Sequence, residues 1–178
     1  MLLANIKTPS RYNLSQWLTA ALIMVSFNVQ ALPEDSQQPI HIRSDSAVKD
    51  DKQGLTIYQG NVDITQGTLN IQADKVTIYI NNEEVTKIIA VGTPARFKQK
   101  PDIDQADVLA KASTIEYRVL EKAITLTDNA SLDQQGSTMT GNRIRYDINA
   151  SRVEANGSDD SGPITVVIPA SNLPANND

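Results

Sequence analysis

Ala73-Asp74-Lys75-Val76-Thr77-Ile78-Tyr79 returns as Ala112-Ser113-Thr114-Ile115-Glu116-Tyr117 and again as Gly141-Asn142-Arg143-Ile144-Arg145-Tyr146, with Ser44-Asp45-Ser46-Ala47-Val48 ahead of them as a fourth opening. Each copy begins with a small or polar pair, continues with apolar residues at alternate positions, and turns into a second apolar run that ends at or near glycine. The spacings are 29, 39 and 29 residues. Two copies therefore make a superperiod of 68, which aligns Asn61 with Asn129, Gln66 with Gln134, Ile71 with Met139 and Asp74 with Asn142. The longer interval carries an extra polar loop, Gln99 to Asp107, with Pro101 inside it. A unit of this size cannot bury its apolar side alone, so its neighbours must stack on it and continue one core.

Within the repeats the apolar period is two, the signature of half-buried strands. Leu55 and Ile57 share a face, and Val62 and Ile64 follow on even positions after Gln59-Gly60-Asn61, which predicts a bulge or bend at Gly60. Leu69 and Ile71 return to odd positions, and Val76, Ile78 and Ile80 to even ones. Asn81-Asn82-Glu83-Glu84 predicts a hairpin turn into Val85 to Val91. The best competing helix, Gln105 to Tyr117, has poor caps and ends in a β-like stretch. The expectation is an all-β stack of short antiparallel strands, a sandwich or jelly-roll solenoid with two open ends. Its end strands, Ile40 to Arg43 and Ile164 to Ile168, are apolar and uninterrupted, with Pro39 and Pro163 limiting their length. Ile40, Ile42, Ile164, Val166 and Ile168 are thus candidate edges for head-to-tail addition of further copies.

Met1 to Ala31 reads as a secretory signal peptide and is set aside from the fold. Lys7 and Arg11 supply a basic start without acidic residues, Trp17 to Phe27 supplies a short apolar run, and Val29-Gln30-Ala31 supplies a small-residue cleavage site. Thr19, Ser26 and Asn28 interrupt the run short of the roughly 20 apolar residues that span a bilayer. Cleavage after Ala31 leaves 147 of the 178 residues and moves the formal charge from −5 to −7. One β domain over residues 32–168 and a disordered polar tail over 169–178 are expected.

Composition excludes several kinds of chemistry. There is no cysteine and one histidine, so thiol nucleophiles, disulfides and multi-histidine metal sites are ruled out. His41, between Ile40 and Ile42, should face solvent. Asp102, Asp104 and Asp107 miss the ligand spacing of a calcium loop, since Ala106, Asp107 and Ser113 stand where the fifth, sixth and twelfth positions would fall. No nucleophile, base or metal constellation stands out, so no catalytic residue, metal or cofactor is expected and the chain is not read as an enzyme. A pI near 4.9 argues against nucleic acid. Tyr79, Tyr117 and Tyr146 are expected to form one column in three repeats, and Phe97, the one phenylalanine outside the signal segment, sits beside the interrupting loop as a core or ligand-contacting residue.

Several of these blocks together resemble the LptA (OstA-like) family of periplasmic lipopolysaccharide-transport proteins. They are Pro39-Ile40-His41-Ile42, Gly60-Asn61-Val62 with Thr65-Gln66-Gly67, Ala73-Asp74-Lys75-Val76, Gly92-x-Pro94-Ala95-x-Phe97 and Gly141-Asn142-Arg143-Ile144. The resemblance implies a twisted β-jelly roll that stacks head to tail with itself and with similarly folded inner-membrane-anchored and outer-membrane components. It further implies a soluble periplasmic carrier or bridge for lipopolysaccharide, with the lipid A acyl chains in an apolar groove. It places lipid contacts near Ile40, Phe97, Tyr117 and Val119, with Ile57, Val62, Ile64, Ile71, Val76 and Ile78 as neighbours from the repeats. A negative chain repels an anionic head group, so the head group is expected in solvent, with Arg43, Lys75, Arg96 and Arg143 as local partners. The reading from another class is a structural β-repeat scaffold or adhesin module with a closed core and no lipid.

Overall fold

Alternation at period two, broken once in the middle of each long strand, builds the whole architecture. The computed structural model describes residues 35–102, 104–158 and 162–172, so the proposed signal segment and residues 173–178 lie outside the described residues. Ten strands form one antiparallel sheet: β1 (His41–Arg43), β2 (Ser46–Asp50), β3 (Leu55–Gln66), β4 (Leu69–Asn81), β5 (Glu84–Gln99), β6 (Val108–Arg118), β7 (Ala123–Gln134), β8 (Ser137–Asp147), β9 (Arg152–Asn156) and β10 (Thr165–Val167). The order is β1-β3-β4-β5-β6-β7-β8-β10, with β2 also on β3 and β9 also on β8. β1 and β2 take different halves of β3, and β9 and β10 take different halves of β8.

The register shifts between Gln59 and Val62, Gln72 and Lys75, Val91 and Ala95, Lys111 and Thr114, and Thr127 and Ala130. Because these breaks fall at the same level in neighbouring strands, the sheet folds along them and both halves bury one shared interior. The breaks use left-handed backbone: Gly60 and Asn61 have φ of 80° and 45°, and Asp128 and Asn129 have 60° and 54°. Asparagine tolerates this region better than most residues because its short amide can bond locally. Asn61 Nδ2 donates to Asp45 Oδ2 at 2.9 Å, and 68 residues later Asn129 Nδ2 donates to Ser113 Oγ at 3.1 Å. The sequence superperiod is thus repeated in the hydrogen bonds of the fold.

The interior is aliphatic and dense. Val76, Ile124, Leu126, Ile144 and Tyr146 are fully buried, and Phe97 is 2% exposed. Phe97 lies between Ile71 on β4 and Ala110 on β6, and the small alanine leaves room for the ring. The expected hairpin at Asn82-Glu83 is present, with φ of 49° and 66°, the pair of left-handed residues that a two-residue connection requires.

The weak helix candidate Gln105 to Tyr117 is not helical, as its poor caps implied; from Val108 it is β6. Other expectations are corrected. Tyr79 does not share a column with Tyr117 and Tyr146. Counting from the repeat openings, Ile78 is the equivalent residue, and Tyr79 faces outward with the Lys87 ammonium 4.1 Å from its ring centre. Ile57 also lies outside. Tyr58 pairs with Val76 and Thr56 with Ile78, so even positions of β3 point inward on both sides of the Gly60–Asn61 break, and the odd positions Leu55 and Ile57 are outer. A two-residue break preserves parity, whereas the single-residue break in β4 changes it. The tail is ordered further than expected: Ala170–Asn172 forms one 3-10 turn, and Asn172 Nδ2 donates to Gln135 O at 3.1 Å.

Candidate functional site: an apolar interior with a polar lip

The inward residues of β3 to β8 form one continuous apolar cluster. Seven of the ten expected groove residues belong to it: Val62, Ile64, Ile71, Val76, Ile78, Phe97 and Tyr117. Ile40 and Val119 are half-buried and pack against it from the rim. Ile57 is excluded by its outer position, where it pairs with exposed Val48. At the centre Phe97 and Tyr117 meet edge to face, with ring centres 5.7 Å apart and planes at 62°. Burial, reinforced by the nearby Asp35 carboxylate, pushes the Tyr117 phenol above its ordinary range, so it is a neutral hydroxyl at physiological pH.

A short segment ahead of β1 closes over one margin of this interior. Asp35, in the 3-10 turn Asp35–Gln37, accepts from the Thr68 N–H at 2.6 Å, the Thr68 hydroxyl at 2.7 Å and Gln99 Nε2 at 2.9 Å. Gln66 Nε2 donates to Gln38 O at 3.0 Å. Gln66, Gln99 and Gln134 occupy the last inward positions of β3, β5 and β7. With neighbouring strands about 4.8 Å apart, they recur roughly every 10 Å along the stack. Their amide nitrogens are engaged, that of Gln134 by Tyr146 Oη at 3.3 Å. The sequence signalled part of this lip, since Gln66 and Gln134 are equivalent in the superperiod; Asp35 and Gln99 carried no such mark.

The basic candidates are not gathered at the interior. Alternation puts Arg43, Lys75, Arg96 and Arg143, all exposed, on the outer surface of four different strands. Arg96 borders a shallow cleft of about 280 Å³ whose lining also includes Asp63 and Asp74. Those carboxylates offset its charge and make the cleft a poor seat for an anionic head group. His41 is exposed, and Asp107 pairs with Lys98 at 2.9 Å. Among the end residues, Ile40 and Ile42 pack against the core, while Ile164, Val166, Val167 and Ile168 are between 44% and 59% exposed.

Comparison with known proteins agrees with this geometry. The family described as LptA/(LptD N-terminal domain) LPS transport protein matches residues 41–152. The lipopolysaccharide export system protein LptH of Pseudomonas aeruginosa is 40% identical over 152 residues, covering 82% of this chain and 85% of that protein. LptA of Haemophilus influenzae is 36% identical, covering 85% of this chain and 89% of that protein, and LptA of Escherichia coli K12 is 32% identical, covering 94% and 91%. The crystal structure of LptH, described as the LptA-homologous periplasmic component of the lipopolysaccharide transport device of P. aeruginosa, superposes with a TM-score of 0.70 at 36% identity. It covers 77% of this chain and 99% of that one. The shared fold and these relatives together define an LptA-like lipopolysaccharide-transport class. The chain belongs to the LptA/LptD N-terminal domain family.

Proposed function

We propose that this protein is a periplasmic carrier that moves lipopolysaccharide between the two membranes, its acyl chains held between the half-sheets. The observation that carries the reading is the single apolar cluster running across β3 to β8, with no charged side chain buried among the described residues. Each buried methylene is worth about 0.8 kcal/mol, so acyl chains can be held by area alone. Many shallow aliphatic contacts also allow stepwise movement, since no single contact anchors the ligand. The contacts proposed are Ile40, Val62, Ile64, Ile71, Val76, Ile78, Phe97, Tyr117 and Val119. The head group would remain in solvent.

The same reading includes removal of the segment through Ala31 on export, and head-to-tail self-association through the two ends of the sheet. Among the described residues, the edges there are β1 with β2 and β9 with β10. Addition of a strand at such an edge satisfies its free backbone groups. Similarly folded components at the inner and outer membranes would dock at those ends. Native mass spectrometry of the purified protein with and without lipopolysaccharide tests the proposal: lipid adducts on an oligomer ladder are expected. A folded monomer that takes up no lipid would instead leave a structural β module.

A further inference from the structure

Among the described residues, the buried side-chain oxygen without a hydrogen-bond partner is Gln99 Oε1. Gln99 is only 9% exposed, is the last inward residue of β5, and pairs across the sheet with fully buried Val108. Its amide orientation is fixed, because Nε2 donates to Asp35 Oδ2 at 2.9 Å and a carboxylate accepts only from the NH₂ side. The oxygen is therefore held as a buried acceptor without a partner at the inward end of β5. A buried acceptor left unpaired is costly, and replacing glutamine by an apolar residue of similar size would remove that cost. A glutamine at this position suits a ligand that brings a donor.

We propose that the Gln99 carboxamide is the polar reading point of the groove, its Oε1 accepting from a hydroxyl or amide N–H near the carboxyl end of a bound acyl chain. This rests on the carrier reading and adds to it a specificity-determining residue. The placement follows from the fold. The hydrocarbon lies among Phe97, Ile71 and their neighbours, and the carboxyl end must emerge past the last inward layer, where Gln66, Gln99 and Gln134 recur on alternate strands. Asp35 acts as a positioning residue by keeping the oxygen, not the NH₂, turned inward.

The test compares 3-hydroxytetradecanoate with tetradecanoate, which differ by one hydroxyl, below micelle-forming concentrations, by calorimetry on the wild-type protein and on Gln99→Met. The wild type is expected to bind the hydroxylated chain about five- to tenfold more tightly, the worth of one net hydrogen bond. Gln99→Met is expected to abolish that preference, so that the variant binds the two probes with equal affinity. Equal wild-type binding of the two probes, or a preference that survives in folded Gln99→Met, overturns the assignment and leaves the carrier reading standing. Failure of the wild type to bind either probe overturns the carrier reading itself. The wild-type comparison does not depend on whether the variant folds.

Discussion

Replacing Phe97 with alanine tests whether the interior is packed in the free protein. The ring is 2% exposed and touches Tyr117 edge to face at 5.7 Å, so truncation removes buried area, an aromatic pair and the filling of a tight site. Phenylalanine-to-alanine changes in such sites cost about 3–5 kcal/mol, and the cross-strand neighbours Ile71 and Ala110 belong to continuous strands that cannot easily collapse into the gap. About 4 kcal/mol is expected, read as a lower urea midpoint at unchanged m, together with a fall in Tm of about 10 °C. Phe97→Leu keeps most of the volume but loses the ring edge, so about 1–2 kcal/mol is expected. An acyl ligand should recover part of the alanine deficit by occupying the gap. A loss below about 1 kcal/mol for Phe97→Ala would refute the reasoning, because it would mean the ring sits in a space already open to water.

Other expectations address the margins and the breaks. Asp35→Ala should cost about 1–2 kcal/mol by chemical denaturation and speed amide exchange at Thr68, since it removes an acceptor shared by Thr68 and Gln99. Asn61→Val should cost about 1–2 kcal/mol because a β-branched residue resists a φ of 45°, whereas Asn61→Gly should be nearly neutral on backbone grounds. The hydrogen bond from Arg118, with help from Arg145, holds the Glu121 carboxyl below its ordinary range. Its contribution is therefore present above the unfolded carboxylate value and lost as pH falls through the lower folded one. Wild type and Glu121→Gln should converge in stability at low pH and in high salt, a small effect because the group lies exposed at the surface. Val166→Lys should shorten an oligomer ladder in native mass spectra without lowering Tm, because the residue is 47% exposed at the sheet end.

The repeat made the fold legible, because its register of Asn61 with Asn129 and of Gln66 with Gln134 is the register of the structure. What misled was hydrophobicity taken residue by residue. Leu55 and Ile57 are more apolar than Thr56 and Tyr58, yet β3 turns the latter inward, because pairing with Val76 and Ile78 decides the face. Tyr79 misled in the same way, one residue out of phase with Tyr117 and Tyr146. The lip was mostly illegible, since Asp35 reaches Gln99 across 64 residues of chain and no local pattern marks such a contact. The basic residues were visible in sequence, but their outward direction depended on the parity of four separate strands.

Photo-crosslinking places the central claim under the most direct test. A photoreactive residue at inward Ile64 and, separately, at outward Ile57 seven residues earlier on β3, each challenged with lipopolysaccharide, compares the two faces of one strand. Strong lipid adducts at position 64 and none above background at 57 are predicted. Equal adducts at both, or adducts at 57 alone, would contradict an interior path for the acyl chains.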